Sequence, residues 1–146
     1  MRIAIALLAL GCGVASQAES PKPQEARAAL EDLLTRNILG WWYPEVIDRE
    51  EGGYRLNHDR DGKYKGPGNK AIVTQARVVW FLSRIARTKY GKPEHLEGAR
   101  HGVAFLREKM WDAEHGGFYW EVDSKGDRAT KPEKHLYGQA FGLYAL

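Results

Sequence analysis

Apolar residues recur at helical spacing in four stretches of the chain. Ala26, Ala29, Leu30, Leu33, Leu34 and Ile38 share one face of a helix predicted from Glu25 to Leu39. Trp41-Trp42-Tyr43-Pro44 is expected to end it, because the residue before a proline is pushed out of the helical region. A second helix is predicted from about Asn69 to Lys89, with Asn69 as its N-cap. A third starts near Pro93, which suits a first helical turn, and carries Leu96, Ala99, Val103, Leu106 and Met110 on one face. A fourth opens at Lys134 and runs to Leu146. Between them, Gly52 to Lys63 and Trp111 to Asp127 read as extended segments with tight turns, and Lys65 to Gly68 as a loop.

The pattern repeats. A shift of 64 residues carries Asp48 onto Asp112, Glu50 onto Glu114, Gly52-Gly53 onto Gly116-Gly117 and Tyr54 onto Phe118. It also carries Asp59 onto Asp123, Gly62 onto Gly126, Lys70 onto Lys134 and Gln75-Ala76 onto Gln139-Ala140, without a gap. A fixed period means stacked or ring-arranged units, none of which buries its apolar face alone. Each unit is a Gly-Gly-aromatic hairpin, a helix and a return helix. The second unit breaks off at Leu143-Tyr144-Ala145-Leu146, so the chain is expected to be part of a longer protein.

Positions alike in both units read as scaffold: glycines for tight turns, aspartates that fix turns through their side chains, and Gln75 and Gln139 capping or bridging backbone. Positions that differ are candidates for a site. Arg77, opposite Phe141 in the alignment of units, interrupts an almost wholly apolar helix. Such a charge is either paired in a structural salt bridge, set at a solvated edge, or open to a polar cavity where it can hold sugar or enediolate oxygens. Tyr137, opposite Val73, reads as a core tyrosine or as a hydroxyl donor whose ring stacks on a sugar. His135, opposite Ala71, reads as a capping or surface histidine or as an acid–base group. His58, His95, His101 and His115 form no HxxxH or HxH pair, so no metal site is expected, and no cofactor motif is present. Trp41, Trp42 and Trp120 are either core or sugar platforms.

Composition alters this picture mainly at the N-terminus. Arg2, the apolar run Ile3 to Leu10 and the small-residue ending Ser16-Gln17-Ala18 predict a secretory signal over residues 1–19, placing the remainder (20–146) in the periplasm or outside the cell. Leu10-Gly11-Cys12 loosely resembles a lipoprotein signal, which makes Cys12 the one position for a lipid anchor. Cys12 is also the only cysteine, so neither a disulfide framework nor a cysteine nucleophile is expected in the mature chain. The formal charge of +3 is spread among acidic residues, a solvated surface and not a nucleic-acid footprint.

Thr74-Gln75-Ala76-Arg77-Val78-Val79-Trp80, Glu114-His115-Gly116-Gly117-Phe118-Tyr119-Trp120 and Lys134-His135-Leu136-Tyr137-Gly138-Gln139-Ala140-Phe141 stand in this order. Together they resemble the N-acylglucosamine 2-epimerase family, which includes cellobiose 2-epimerases and mannose isomerases, from about Leu30 onward. The resemblance implies an all-α fold, here part of an (α/α)6 barrel of helix hairpins with short β-hairpin-like connections. It implies a mono- or disaccharide substrate, proton abstraction next to the sugar carbonyl, and an enediolate. It places Arg77, the Arg of an Ala-Arg-x-x-Trp motif, in the site as the catalytic candidate and Tyr137, the Tyr of a Lys-His-x-Tyr motif, at the substrate, with His135 and Trp80 as further substrate-binding candidates. The two histidines that exchange the proton are expected in a later part of the barrel. An α/α-barrel glycoside hydrolase and a non-catalytic carbohydrate-binding scaffold stay open beside this reading; the hydrolase needs an acid pair around a glycosidic bond.

Overall fold

The computed structural model describes residues 22–146. The signal over residues 1–19 and Cys12 lie outside the described residues. The chain is mostly helical with one small antiparallel sheet. Helix α1 (Pro23–Asp32) passes into wide, π-type turns over Leu33–Trp42 and then into α2 (Tyr43–Val46). Strand β1 (Lys70–Ala71) leads into α3 (Ile72–Ala86). Helix α4 (Pro93–Phe105) ends in a second π-type stretch, Leu106–Met110, followed by β2 (Glu121–Val122), β3 (Ala129–Lys131) and α5 (Leu136–Ala145). Helix α3 is central and packs on both α4 and α5. The core gathers Val46, Tyr54, Ile72, Val79, Leu82, Leu106, Met110 and Val122, all with no exposed surface. No helix among the described residues is long and apolar enough to cross a membrane.

Several sequence expectations need correction. The first helix does not end before Pro44. It continues to Val46, through turns in which Tyr43 N–H reaches the Ile38 carbonyl five residues back. Pro44 lies near the end of this continuous run, two residues before its last residue Val46. Asn69 does not cap the second helix. Its amide donates to Glu121 Oε1 at 3.0 Å, while Lys70 and Ala71 pair with Val122 and Glu121, so the helix starts at Ile72 after an extended Ala71. The strand partner lies some fifty residues away, and local propensity cannot report it. The fourth helix likewise begins at Leu136, not Lys134. Leu30, Leu33 and Leu96, which lie on the apolar helix faces read from the sequence, are exposed.

The repeat is present in three dimensions. In the first hairpin Asp48 Oδ1 accepts the N–H groups of Glu50 (3.3 Å) and Glu51 (3.1 Å), and its Oδ2 takes Lys70 Nζ at 2.8 Å. In the second, Asp112 Oδ1 accepts Glu114 N–H (3.0 Å) and His115 N–H (3.1 Å), and Lys134 Nζ lies 2.5 Å from Oδ2. The Gln75 carboxamide clamps Tyr54, accepting its N–H and donating to its C=O, both at 2.9 Å. Gln139 does the same to Phe118, both at 2.8 Å. Gly53 and Gly117 have φ of +66° and +81°. A Cβ on either would also press on the clamping glutamine oxygen, at 2.6 and 2.9 Å, so turn and clamp both demand glycine.

Candidate functional site

The period that aligns the hairpins also aligns one face of α3 with one face of α5. Val73, Arg77 and Trp80 correspond to Tyr137, Phe141 and Tyr144. At i, i+4 and i+7 these residues share a helix face. In the folded chain the two faces meet: the Arg77 guanidinium lies 5.9 Å from the centre of the Phe141 ring, and Trp80 stacks on Tyr144 at 5.2 Å and 21°. Tyr137 meets Phe141 edge-on at 4.9 Å. Equivalent positions of the two units therefore form successive rungs of one wall.

That wall borders an open cleft of about 780 Å³ lined by Arg77, Trp80, Phe81, Tyr137, Ala140, Phe141 and Tyr144. Among the described residues Arg77 is the only charged group on it. Among the described residues Arg77 has no carboxylate and no hydrogen-bond acceptor, and the Phe141 ring is its one specific neighbour. This disfavours the reading of Arg77 as half of a structural salt bridge. Arg77 is exposed, so its guanidinium N–H donors are open to solvent and to oxygens of a molecule in the cleft. An apolar wall with one convergent cation and a phenol is a common composition for a carbohydrate-sized site.

Three of the four residues singled out from the sequence thus meet in one cleft: Arg77, Trp80 and Tyr137. His135 does not line it. It is the residue preceding α5, exposed, with its ring edge-on to Trp120 at 4.8 Å and 82°. Phe141 and Tyr144, which the sequence reading left out of the site, belong to the wall. The signal was available, since the 64-residue shift already sets them opposite Arg77 and Trp80. Trp42 is half-buried and packs edge-on to Phe81, as a core residue does, while Trp41 is exposed.

The remaining histidines are occupied elsewhere. His95 is buried; its Nδ1 accepts Lys92 N–H at 3.1 Å, and burial pushes its pKa down. His101 Nε2 lies 3.0 Å from the carbonyl oxygens of both Asp48 and Gly53, so that nitrogen must carry the proton. His58 packs on Tyr64 and His115 stands exposed beside Asp112. Among the described residues no three His, Cys, Asp or Glu side chains are grouped as a metal would need.

The sequence profile described as N-acylglucosamine 2-epimerase (GlcNAc 2-epimerase) matches residues 52–146. A cellobiose 2-epimerase of Dictyoglomus turgidum is 40% identical over 120 residues, covering 82% of this chain and 30% of that protein. The N-acylglucosamine 2-epimerase of Bos taurus is 26% identical, covering 86% of this chain and 31% of its own length. Among solved structures, cellobiose 2-epimerase from Bacillus thermoamylovorans B4167 superposes with a TM-score of 0.70 at 33% identity, over 81% of this chain and 30% of that one. A D-mannose isomerase superposes with a TM-score of 0.72 at 25% identity, over 86% and 31% of the two chains. This chain therefore spans about 30% of the length of these relatives. The profile match over residues 52–146 and the 40% identity across 82% of this chain show that the chain belongs to the N-acylglucosamine 2-epimerase family.

Proposed function

We propose that this chain is the first part of an (α/α)6 barrel that epimerises or isomerises a mono- or disaccharide by removing the proton next to the sugar carbonyl. The observation that carries the reading is Arg77, an unpaired cation among the described residues, on an aromatic cleft wall beside Tyr137. In the enediolate, negative charge develops on the former carbonyl oxygen. The guanidinium stabilises that charge more than it stabilises the neutral sugar, which is the requirement for catalysis. Tyr137 donates to a hydroxyl, and Trp80 closes the apolar side of the cleft. His135 stands at the head of α5, near enough in sequence to Tyr137 to serve the rim of the same site.

Among the described residues no histidine, aspartate or glutamate lines the cleft, so on this reading they supply binding and charge stabilisation but no base. The proton-exchanging histidines come, on this reading, from sequence beyond the span shared with the relatives, and the 146-residue chain alone is inactive. A glycoside hydrolase, which needs an acid pair around a glycosidic bond, and a carbohydrate-binding scaffold are the alternatives. On this reading the signal over residues 1–19 sends the protein to the periplasm or outside the cell; N-terminal sequencing of the exported form should begin at Ser20.

The test is exchange at C2 in deuterated water with glucose, mannose, N-acetylglucosamine and cellobiose. The chain alone should give none. The chain joined to the sequence encoded downstream of Leu146 should exchange with at least one sugar, and Arg77→Met should lower kcat/KM by roughly a hundred-fold. A stop codon directly after Leu146, or no exchange with any sugar, leaves the binding scaffold as the reading.

A further inference from the structure

The backbone of Arg77 is fixed within α3, but its side chain is exposed and pairs with no carboxylate among the described residues. An arginine without a partner spreads over many rotamers, and a molecule that binds it must gather them into one. Phe141 is the group placed to do this in advance. The Arg77 guanidinium carbon lies over its ring, 5.9 Å from the centre and within cation–π range. The ring itself is anchored. It is half-buried and packs against the core. Tyr137, one turn earlier on α5, meets it edge-on at 4.9 Å and 66°, and Tyr144, three residues later, does so at 6.4 Å and 83°.

At this place a ring serves better than an acid. A carboxylate would fix the guanidinium but also neutralise it, and would compete with the oxygens on which charge develops in an enediolate. The quadrupole of a ring attracts the cation and leaves its charge whole. The repeat shows that the ring is not a requirement of the fold. One period earlier the same position is Arg77 itself, and α3 forms there as α5 does. We propose that Phe141 is a positioning residue, whose ring holds the Arg77 guanidinium ready at the cleft before the sugar enters. The effect on turnover rests on the proposed epimerase or isomerase site; the effect on the Arg77 side chain does not.

Two measurements separate these effects. On the 146-residue chain, nitrogen-15 relaxation of the Arg77 Nε–H group, assigned by its loss in Arg77→Met, reads how firmly the side chain is held. It should be restrained in the wild type and as mobile as the exposed Arg60 in Phe141→Leu. Phe141→Tyr, which keeps the ring, should restore the restraint. Should Phe141→Leu fail to fold, Phe141→Met removes the ring at similar volume and decides. An Arg77 side chain as mobile in the wild type as without the ring overturns the proposal. In the chain joined to the sequence encoded downstream of Leu146, Phe141→Leu should lower kcat for exchange at C2 roughly five-fold with KM little changed, the loss expected when a contact of cation–π strength no longer selects the productive rotamer. Phe141→Tyr should recover it. In an Arg77→Met background the same Phe141→Leu change should cost nothing further. Equal losses with and without Arg77 would show that the ring acts elsewhere, and also overturn the proposal. Exchange indifferent to Arg77→Met would instead sink the proposed sugar site, a result distinct from an unrestrained Arg77.

Discussion

The first hairpin sets Lys70 against Asp48 with side chains 4% and 3% exposed; the second sets Lys134 against Asp112 at 27% and 8%. The bonds are the same in kind and nearly the same in length, yet their surroundings differ. Helix α4 covers the first hairpin. Gly98 and Gly102 open its surface so that the Tyr54 ring enters, and the Tyr54 hydroxyl donates to the Gly98 carbonyl at 2.8 Å. A Cβ on Gly102 would collide with that hydroxyl. The second hairpin has α5 beside it, with Gly142 making room for Phe118, but no helix among the described residues holds the place that α4 holds over the first. The hairpin geometry is therefore local, written into Asp, Gly-Gly, Lys and Gln, whereas its energetic weight is set by the helix that lies over it.

The sharpest way to break this comparison is to remove the acid from each pair in turn. Asp48→Asn leaves a buried ammonium without its counter-charge, which costs about 3–5 kcal/mol. That is a large share of the stability of a small domain. Asp112→Asn leaves an ammonium that can turn to water, so its loss should be clearly smaller. Urea denaturation followed by circular dichroism measures both. Equal midpoint shifts would mean that burial by α4 does not distinguish the units.

A somewhat smaller effect is expected at the clamps. Gln75→Leu strands the N–H and C=O of Tyr54 in the core, at roughly 2–4 kcal/mol for two buried groups left without partners. Gln139→Leu strands those of Phe118, where the surroundings are only partly buried, and should cost less. Amide hydrogen exchange resolves the two: protection at residue 54 or 118 should fall in the matching variant, with the other hairpin unchanged. Loss of protection in both hairpins from either substitution would show one cooperative unit where the geometry suggests two.

What the sequence made readable follows the same division. The repeat, its turns and the glutamine bridges were visible because identical residues perform identical short-range bonding in both units. Arg77 and Tyr137 stood out because they depart from that identity. The short strands were hidden, since Lys70 and Ala71 pair with residues some fifty positions away, and a two-residue ladder leaves no alternation to detect. Helicity through Pro44 was hidden because it depends on wide turns that no local rule announces. The exposure of Leu30, Leu33 and Leu96 was hidden because periodicity marks an apolar face without stating what covers it. Phe141 and Tyr144 escaped for a different reason: the 64-residue shift sets them opposite Arg77 and Trp80, but a hydrophobic residue on a hydrophobic helix reads first as core.

The smallest expected effect is on acid stability. The pKa of Asp112 is held well below the usual carboxylate range by Lys134 and the His115 and Glu114 N–H groups. For Asp48, burial pushes up, but Lys70, the Glu51 N–H and Arg55 together outweigh it and the net shift is down. Both carboxyls bind protons less readily folded than unfolded, so acid favours the unfolded chain. Their contribution is complete above the unfolded carboxylate value, near 4, and drains away as pH falls through the lower folded values. His95 acts in a separate window. Burial lowers its pKa, so its neutral form belongs to the native state, and stability should begin to decline as pH falls below about 6.5, the unfolded histidine value. Urea midpoints measured from pH 8 to pH 3 should therefore fall in two steps. His95→Gln should remove only the upper step. Asp112→Asn should shrink only the lower one and leave the Asp48 part in place. A lower step that survives Asp112→Asn at full height would show that the less buried pair contributes nothing, and that α4 alone decides which copy of the hairpin carries weight.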